Sequence, residues 1–119
     1  MISDYYSIEQ LDKLSGVARV RLNRDSAVYK GHFPDNPVSP GVCNIEMIRE
    51  VAETVHGGRL RIRRIKQCRF TTLITPLIHR ELEVRVMLQE QEQGHYRLTG
   101  TLGEGEAVYM SLKADMTDE

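Results

Sequence analysis

The sequence has little cysteine, little proline and no long apolar run. Its two cysteines, Cys43 and Cys68, lie 25 positions apart. That supplies neither a disulfide framework nor a CxxC metal pair, so no metal is expected and a reduced, cytoplasmic setting fits best. No stretch approaches the roughly 20 apolar residues that cross a bilayer. The opening MISDYYSIEQ has neither the basic residues nor the apolar core of a secretory leader. Charge of one sign is also missing: 16 Lys and Arg stand against 17 Asp and Glu, a formal net charge of −1. Such a balance exerts no long-range pull on nucleic acid or membrane. At 119 residues the chain is expected to be one domain, 1–119, able to bury a core without covalent staples. It shows no internal repeat, and the acidic tail from Asp115 to Glu119 is expected to fray.

Proline is rare but concentrated. Three of the four prolines, Pro34, Pro37 and Pro40, fall within the stretch GHFPDNPVSPGVCNIE at 31–46. They fix φ and lower the loop's entropy, so His32 is held in place. Gly31 and Gly41 let the backbone come close to a ligand. Ser39 followed by Pro40 has the composition of a helix start, with serine as the cap and proline in the first helical position. The predicted helix runs to about His56, where Gly57 and Gly58 stop it. Val42, Ile45, Ile48, Ala52 and Val55 recur at intervals of three and four and form its expected apolar face. Its free N–H groups point back at the proline loop, placing a candidate general base, His32, beside an anion-stabilising helix mouth. The plain alternative is an ordinary loop histidine. Periodicity likewise puts Glu46 with Arg49, Glu50 and Glu53 on a solvated face.

Around this segment the pattern is strand-rich. VARVRL (17–22) alternates apolar and charged residues, and VYK (28–30) reads as a short strand. After the helix, 60–70, 81–90, 95–102 and 107–116 have strand composition, with tight turns at 92–94 and 103–106. The expected architecture is α+β: one long helix on an antiparallel sheet. A single helix leaves an edge and some surface uncovered, which dimerisation would handle.

The 31–46 stretch resembles the signature of the hotdog-fold 3-hydroxyacyl-(acyl carrier protein) dehydratases, approximately GHFPxxPxxPGVxxxE. Gly31, His32, Phe33, Pro34, Pro37, Pro40, Gly41, Val42 and Glu46 all fall in place, and Phe70 with Pro76 look like a later Phe and Pro of that family. The resemblance implies a hotdog fold and a 3-hydroxyacyl thioester carried on the phosphopantetheine of acyl carrier protein, with no other cofactor. His32 would take a proton from C2, and the Gly41 N–H would receive the charge on the thioester oxygen. Phe33, Pro40 and Val42 would join Gly41 in binding substrate. Glu46 would protonate the departing 3-hydroxyl, leaving a trans-2-enoyl thioester. A carboxyl in that role must keep its proton near neutral pH, which apolar walls promote. In the family, His and Glu of one site come from different subunits, so the resemblance implies a homodimer, or a trimer of such dimers. A residue on the helix's outer face would then be covered by the second chain.

The chain departs from the pattern in places. Arg49 is spaced to pair with Glu46 and favour its charged form; Glu50, where a glutamine is common, acts in the opposite sense. PLIHR (76–80) replaces a PGD-like turn, and the chain is short for a housekeeping fatty-acid enzyme. These features point to a specialised relative, such as the small dehydratases of aryl-polyene pathways. RLRIRRIK with Arg69 puts six basic residues in eleven positions. Arg61, Arg63, Arg64 and Lys66 read either as the solvent side of a strand or as a dock for an acidic carrier protein. Nucleic acid is disfavoured because no aromatics are interleaved. Cys43, in the first helical turn, is a place where a thiol can be acidified, though a packed small side chain is the plainer reading. His56, His79 and His95 read as scattered and exposed. Competing activities are a non-catalytic acyl- or carrier-binding hotdog subunit, which the charged helix face suggests, and a hotdog acyl thioesterase, which His32 argues against.

Overall fold

The computed structural model describes residues 4–31 and 37–119. Among these residues, six strands form one antiparallel sheet: β1 (Tyr6–Asp12), β2 (Val17–Leu22), β3 (Arg61–Phe70), β4 (Glu81–Glu92), β5 (His95–Glu104) and β6 (Ala107–Thr117). Their order across the sheet is β1-β2-β4-β5-β6-β3, so β1 and β3 are the edges. The helix α1 (Gly41–His56) connects β2 to β3 and packs on β4 and β5. This is the α+β hotdog arrangement, one helix wrapped by a sheet.

Alternation explains the central strands. Leu82, Val84 and Val86 of β4 and Met110, Leu112, Ala114 and Met116 of β6 are buried, and the residues between them are partly or fully exposed. Their buried face meets Met47, Ile48, Val51 and Ala52 of α1. Each large side chain so buried stabilises the fold by roughly 1.5–3 kcal/mol. The opposite face is solvated and carries ion pairs, among them Arg21 Nη2 to Glu81 Oε1 at 3.0 Å. Gly100 admits the helix: a Cβ there would lie 2.5 Å from Ile48 Cγ2.

Three expectations about elements need correction. Residues 28–30 lie in a short 3-10 helix, Ala27–Gly31. Its start is tied down because Asp4 accepts hydrogen bonds from Ser26 Oγ at 2.9 Å and from the Ala27 N–H at 2.8 Å. A first strand, β1, precedes the expected ones. Most of its side chains are exposed, so it has no apolar alternation to reveal it. The acidic end does not begin to fray at Asp115, because Asp115 and Thr117 are inside β6 and Thr117 is fully buried.

The hairpin between β1 and β2 turns through Gly16 at φ 72°. The Gly16 N–H donates to Asp12 O at 2.9 Å, and its carbonyl accepts from the Val86 N–H at 2.8 Å. A Cβ at this position would stand 2.2 Å from the Val86 oxygen.

Candidate active site

The mouth of α1 is built differently from the expected cap. Pro40, at φ −65° and ψ 141°, is the N-cap itself, and no side chain among the described residues caps the helix. Ser39 is turned away from that task. Its N–H donates to Ile74 O at 2.7 Å and its Oγ is 2.9 Å from the Tyr29 hydroxyl. The amides of Cys43 and Asn44 already bond to the Pro40 carbonyl. The first-turn N–H groups of Gly41 and Val42 are those left by the helix's own bonding pattern.

In front of this mouth is a pocket of about 380 Å³ whose walls include Ser39, Pro40, Gly41, Asn44, Phe70 and Leu73. Phe70 leans directly over the helix start: a Cβ at Gly41 would lie 2.9 Å from Phe70 Cζ. That close approach is what glycine provides at this position. Pro40 and Gly41 thus both line the pocket. Val42 does not; it is 75% exposed. The helix's core face is rotated from the one anticipated, running through Met47, Ile48, Val51 and Ala52, with Val42 outside it and Ile45 and Val55 half-buried.

Behind the pocket lies a group of buried hydroxyls. Tyr5 donates to Asn44 Oδ1 at 2.5 Å. Its ring is 6.2 Å from those of both Tyr6 and Tyr29. Tyr6 donates to Glu50 Oε1 at 2.8 Å. Burial pushes all three phenols above the ordinary value of 10.0, and for Tyr6 the hydrogen bond to Glu50 adds to it. Glu50, expected on a solvated face, is therefore buried beneath Tyr6. Neither Asn44 nor Tyr5 was singled out from the sequence. The available signal was a polar residue, Asn44, at the three-residue spacing between Gly41 and Met47.

Glu46 lies on the outer flank of α1 in a bidentate pair with Arg49. Arg49 Nε is 3.0 Å from both Glu46 oxygens, and Nη2 also donates to Oε1. Arg49 Nη1 donates to Leu60 O at 2.8 Å and reaches Glu53 Oε2 at 2.8 Å. Glu53 Oε2 in turn accepts from the Leu60 N–H at 2.9 Å. The Arg49 guanidinium is held above the ordinary arginine range, first by its hydrogen bond to Glu46, against an opposing cost of burial. Cys43 is not an acidified thiol: burial, and then the charge of Glu46, push its pKa up.

His32 and Phe33 lie outside the described residues, and with them the geometry between His32 and Glu46. The other histidines are less exposed than expected. The His56 ring meets Tyr96 edge-on at 4.7 Å, the His79 ring lies tilted against Tyr109 at 4.9 Å, and His95 is half-buried. Arg61, Arg63, Arg64 and Lys66 are exposed along edge strand β3. Lys66 is 3.9 Å from Asp115. Among the described residues, no three His, Cys, Asp or Glu side chains are grouped to hold a metal ion, and no helix is long and apolar enough to cross a membrane.

Comparison with known proteins agrees with this fold. The model of the ApeI-like family, described as ApeI dehydratase, matches residues 8–111. A 3-hydroxyacyl-(acyl-carrier-protein) dehydratase FabZ of Levilactobacillus brevis is 32% identical, covering 92% of this chain and 79% of the relative. A FabZ of a Thermoanaerobacter species is 28% identical, covering 100% of this chain and 87% of the relative. Among solved structures, the dehydratase heterocomplex ApeI:P from Xenorhabdus doucetiae superposes with a TM-score of 0.62. It is 19% identical and covers 93% of this chain and 94% of its own, a likeness of fold. The chain belongs to the ApeI-like family of hotdog-fold 3-hydroxyacyl-(acyl carrier protein) dehydratases.

Proposed function

We propose that this protein is a cytoplasmic hydro-lyase that dehydrates 3-hydroxyacyl groups on acyl carrier protein to trans-2-enoyl thioesters, in fatty-acid or aryl-polyene-type lipid synthesis. The observation that carries the reading is the pocket at a helix mouth that no described side chain caps, walled by Pro40 and Gly41 and roofed by Phe70. A thioester oxygen there meets free N–H groups and the positive end of the helix dipole, which favour the charge that builds when C2 loses its proton. His32 takes that proton. Glu46 returns one to the 3-hydroxyl, which leaves as water; a hydroxyl departs readily only when protonated. The substrate arrives on phosphopantetheine, and no further cofactor enters the reaction.

The family resemblance implies that His and Glu of one site come from different subunits; on this reading the outward-lying Glu46 meets His32 of a second copy, and the working unit is a homodimer. Among the described residues, edge strand β3 pairs with β6 alone. Its other backbone edge offers unpaired N–H and C=O groups suited to a matching strand. Arg61, Arg63, Arg64 and Lys66 attract the acidic carrier.

The test is incubation with 3-hydroxyacyl carrier and detection of the enoyl product. Carrier binding without enoyl product would favour a binding subunit, and release of free acid would indicate a thioesterase. His32→Ala and Glu46→Ala should each lower the rate about 10²–10⁴-fold. Mixing the two inactive proteins should restore part of the activity through mixed dimers. Absence of rescue, with subunit exchange confirmed, would overturn the shared site.

A further inference from the structure

We propose that Asn44 is a substrate-binding residue, whose side-chain NH2 donates a hydrogen bond to the oxygen on C3 of the acyl group in the pocket at the mouth of α1. The inference rests on the reading of that pocket as a 3-hydroxyacyl site. Asn44 is only 2% exposed, yet it forms part of the pocket wall. A side-chain amide has one acceptor oxygen and two donor hydrogens. The acceptor is taken, since Oδ1 receives the Tyr5 hydroxyl at 2.5 Å. The donor end makes no hydrogen bond among the described residues. The positions that follow on the same face, Met47 and Ile48, are apolar. The Tyr5 hydroxyl accounts for the amide's oxygen but not for its NH2.

The surroundings fix which end of the amide faces the pocket. Tyr5 is fully buried, with its ring against those of Tyr6 and Tyr29. Its hydroxyl lies 2.5 Å from Oδ1, which puts the amide's oxygen on the inner side. Helical side chains lean toward the N-terminus, which tilts Asn44 toward the mouth. Asn44 follows Gly41 by three residues, ~4.5 Å along the helix axis. With the thioester oxygen at the Gly41 N–H, the C3 substituent, two carbons along the acyl chain, comes within reach of Asn44. A site built to hydrogen-bond a hydroxyl discriminates strongly against the analogue that lacks it.

The experiment compares the affinity of 3-hydroxybutyryl- and butyryl-acyl carrier protein, which differ only in the C3 oxygen. It is done in a His32→Ala background so that the first ligand persists. Asn44→Leu is expected to lower the preference for the hydroxylated carrier about tenfold and leave the butyryl carrier unaffected. Asn44→Asp keeps the shape and still accepts from Tyr5, but it lacks the donor; it should lose the preference too, and reads the same point if the leucine variant does not fold. Tyr5→Phe frees the amide to turn and should lower the preference part of the way. An unchanged ratio in a folded Asn44 variant would overturn the proposal, as would an equal loss for both carriers or no preference before substitution. If the unsubstituted protein forms no enoyl product at all, the reading of the pocket fails. A protein that forms enoyl product with the ratio unmoved by Asn44 variants isolates the failure to Asn44.

Discussion

Arg49 folds back one turn along α1 onto Glu46. Its Nε is 3.0 Å from each carboxylate oxygen, and its Nη1 is 2.8 Å from Glu53 Oε2 on the other side. One guanidinium thus ties the proposed proton donor to the segment at Leu60 that leads into β3. Replacing it should separate two effects. Arg49→Gln should lower stability by about 1–3 kcal/mol, because charged hydrogen bonds to Glu53 and the Leu60 carbonyl are lost; urea unfolding reads this. The same variant should raise kcat, because the Glu46 carboxyl is released from its bidentate pair with Arg49 and is free to turn toward the 3-hydroxyl. A fall in kcat would show that Arg49 positions Glu46 for the reaction.

Two glycines should respond in opposite ways to the same added methyl. At Gly41 the Cβ meets the tip of Phe70, a ring that is 52% exposed and free to swing. Gly41→Ala should change stability by less than about 1 kcal/mol and raise KM, since the displaced ring forms the pocket roof. At Gly100 the Cβ meets Ile48 Cγ2 in the core at 2.5 Å. Gly100→Ala should cost about 1–3 kcal/mol by overpacking. Unfolding midpoints and substrate kinetics on both variants check the contrast.

Alkaline pH should weaken the fold through its buried phenols. Tyr5, Tyr6 and Tyr29 all titrate above the ordinary 10.0, because burial disfavours the phenolate. The unfolded chain releases these protons first. Their contribution is therefore complete below pH 10.0 and declines as pH rises from there through the folded-state values. Unfolding midpoints measured across that range should fall, and Tyr29→Phe should make the fall shallower. A midpoint flat with pH would contradict the assignment.

The basic edge should matter for the carrier more than for the acyl group. Arg63→Glu with Arg64→Glu is expected to slow association with acyl carrier protein by about tenfold at low salt and less at high salt. Turnover of a free pantetheine thioester should be unchanged in a variant that sedimentation shows to assemble as the unsubstituted protein does. Equal effects on both substrates would remove the docking role.

Much of the fold was legible because alternation records burial directly. β2, β4 and β6 each present one apolar face, and the stop at Gly57 follows from its φ of 85°. β1 was hidden because it is an exposed edge strand. The helix face was misjudged for a related reason. Met47 and Val51 lie against the sheet, whereas Val42 points outward, and apolar spacing alone allows either rotation. At the site, Pro40, Gly41 and Phe70 were marked by resemblance to the family. The Tyr5–Asn44 pair was not, because its members are 39 residues apart and no local pattern couples them. The burial of Glu50 escaped for the same reason: its partner, Tyr6, belongs to the strand that periodicity did not reveal.

The tie between Gly16 and Val86 is a mechanical pin. It fastens the turn of the first hairpin to β4, while the opposite end of that hairpin carries Tyr5 and Tyr6 into the helix. A side chain forced in at Gly16 would unseat the ribbon at its anchor and shift both tyrosines against their partners. Damage to the pocket can therefore originate a whole strand's length away, at a residue with no chemistry of its own.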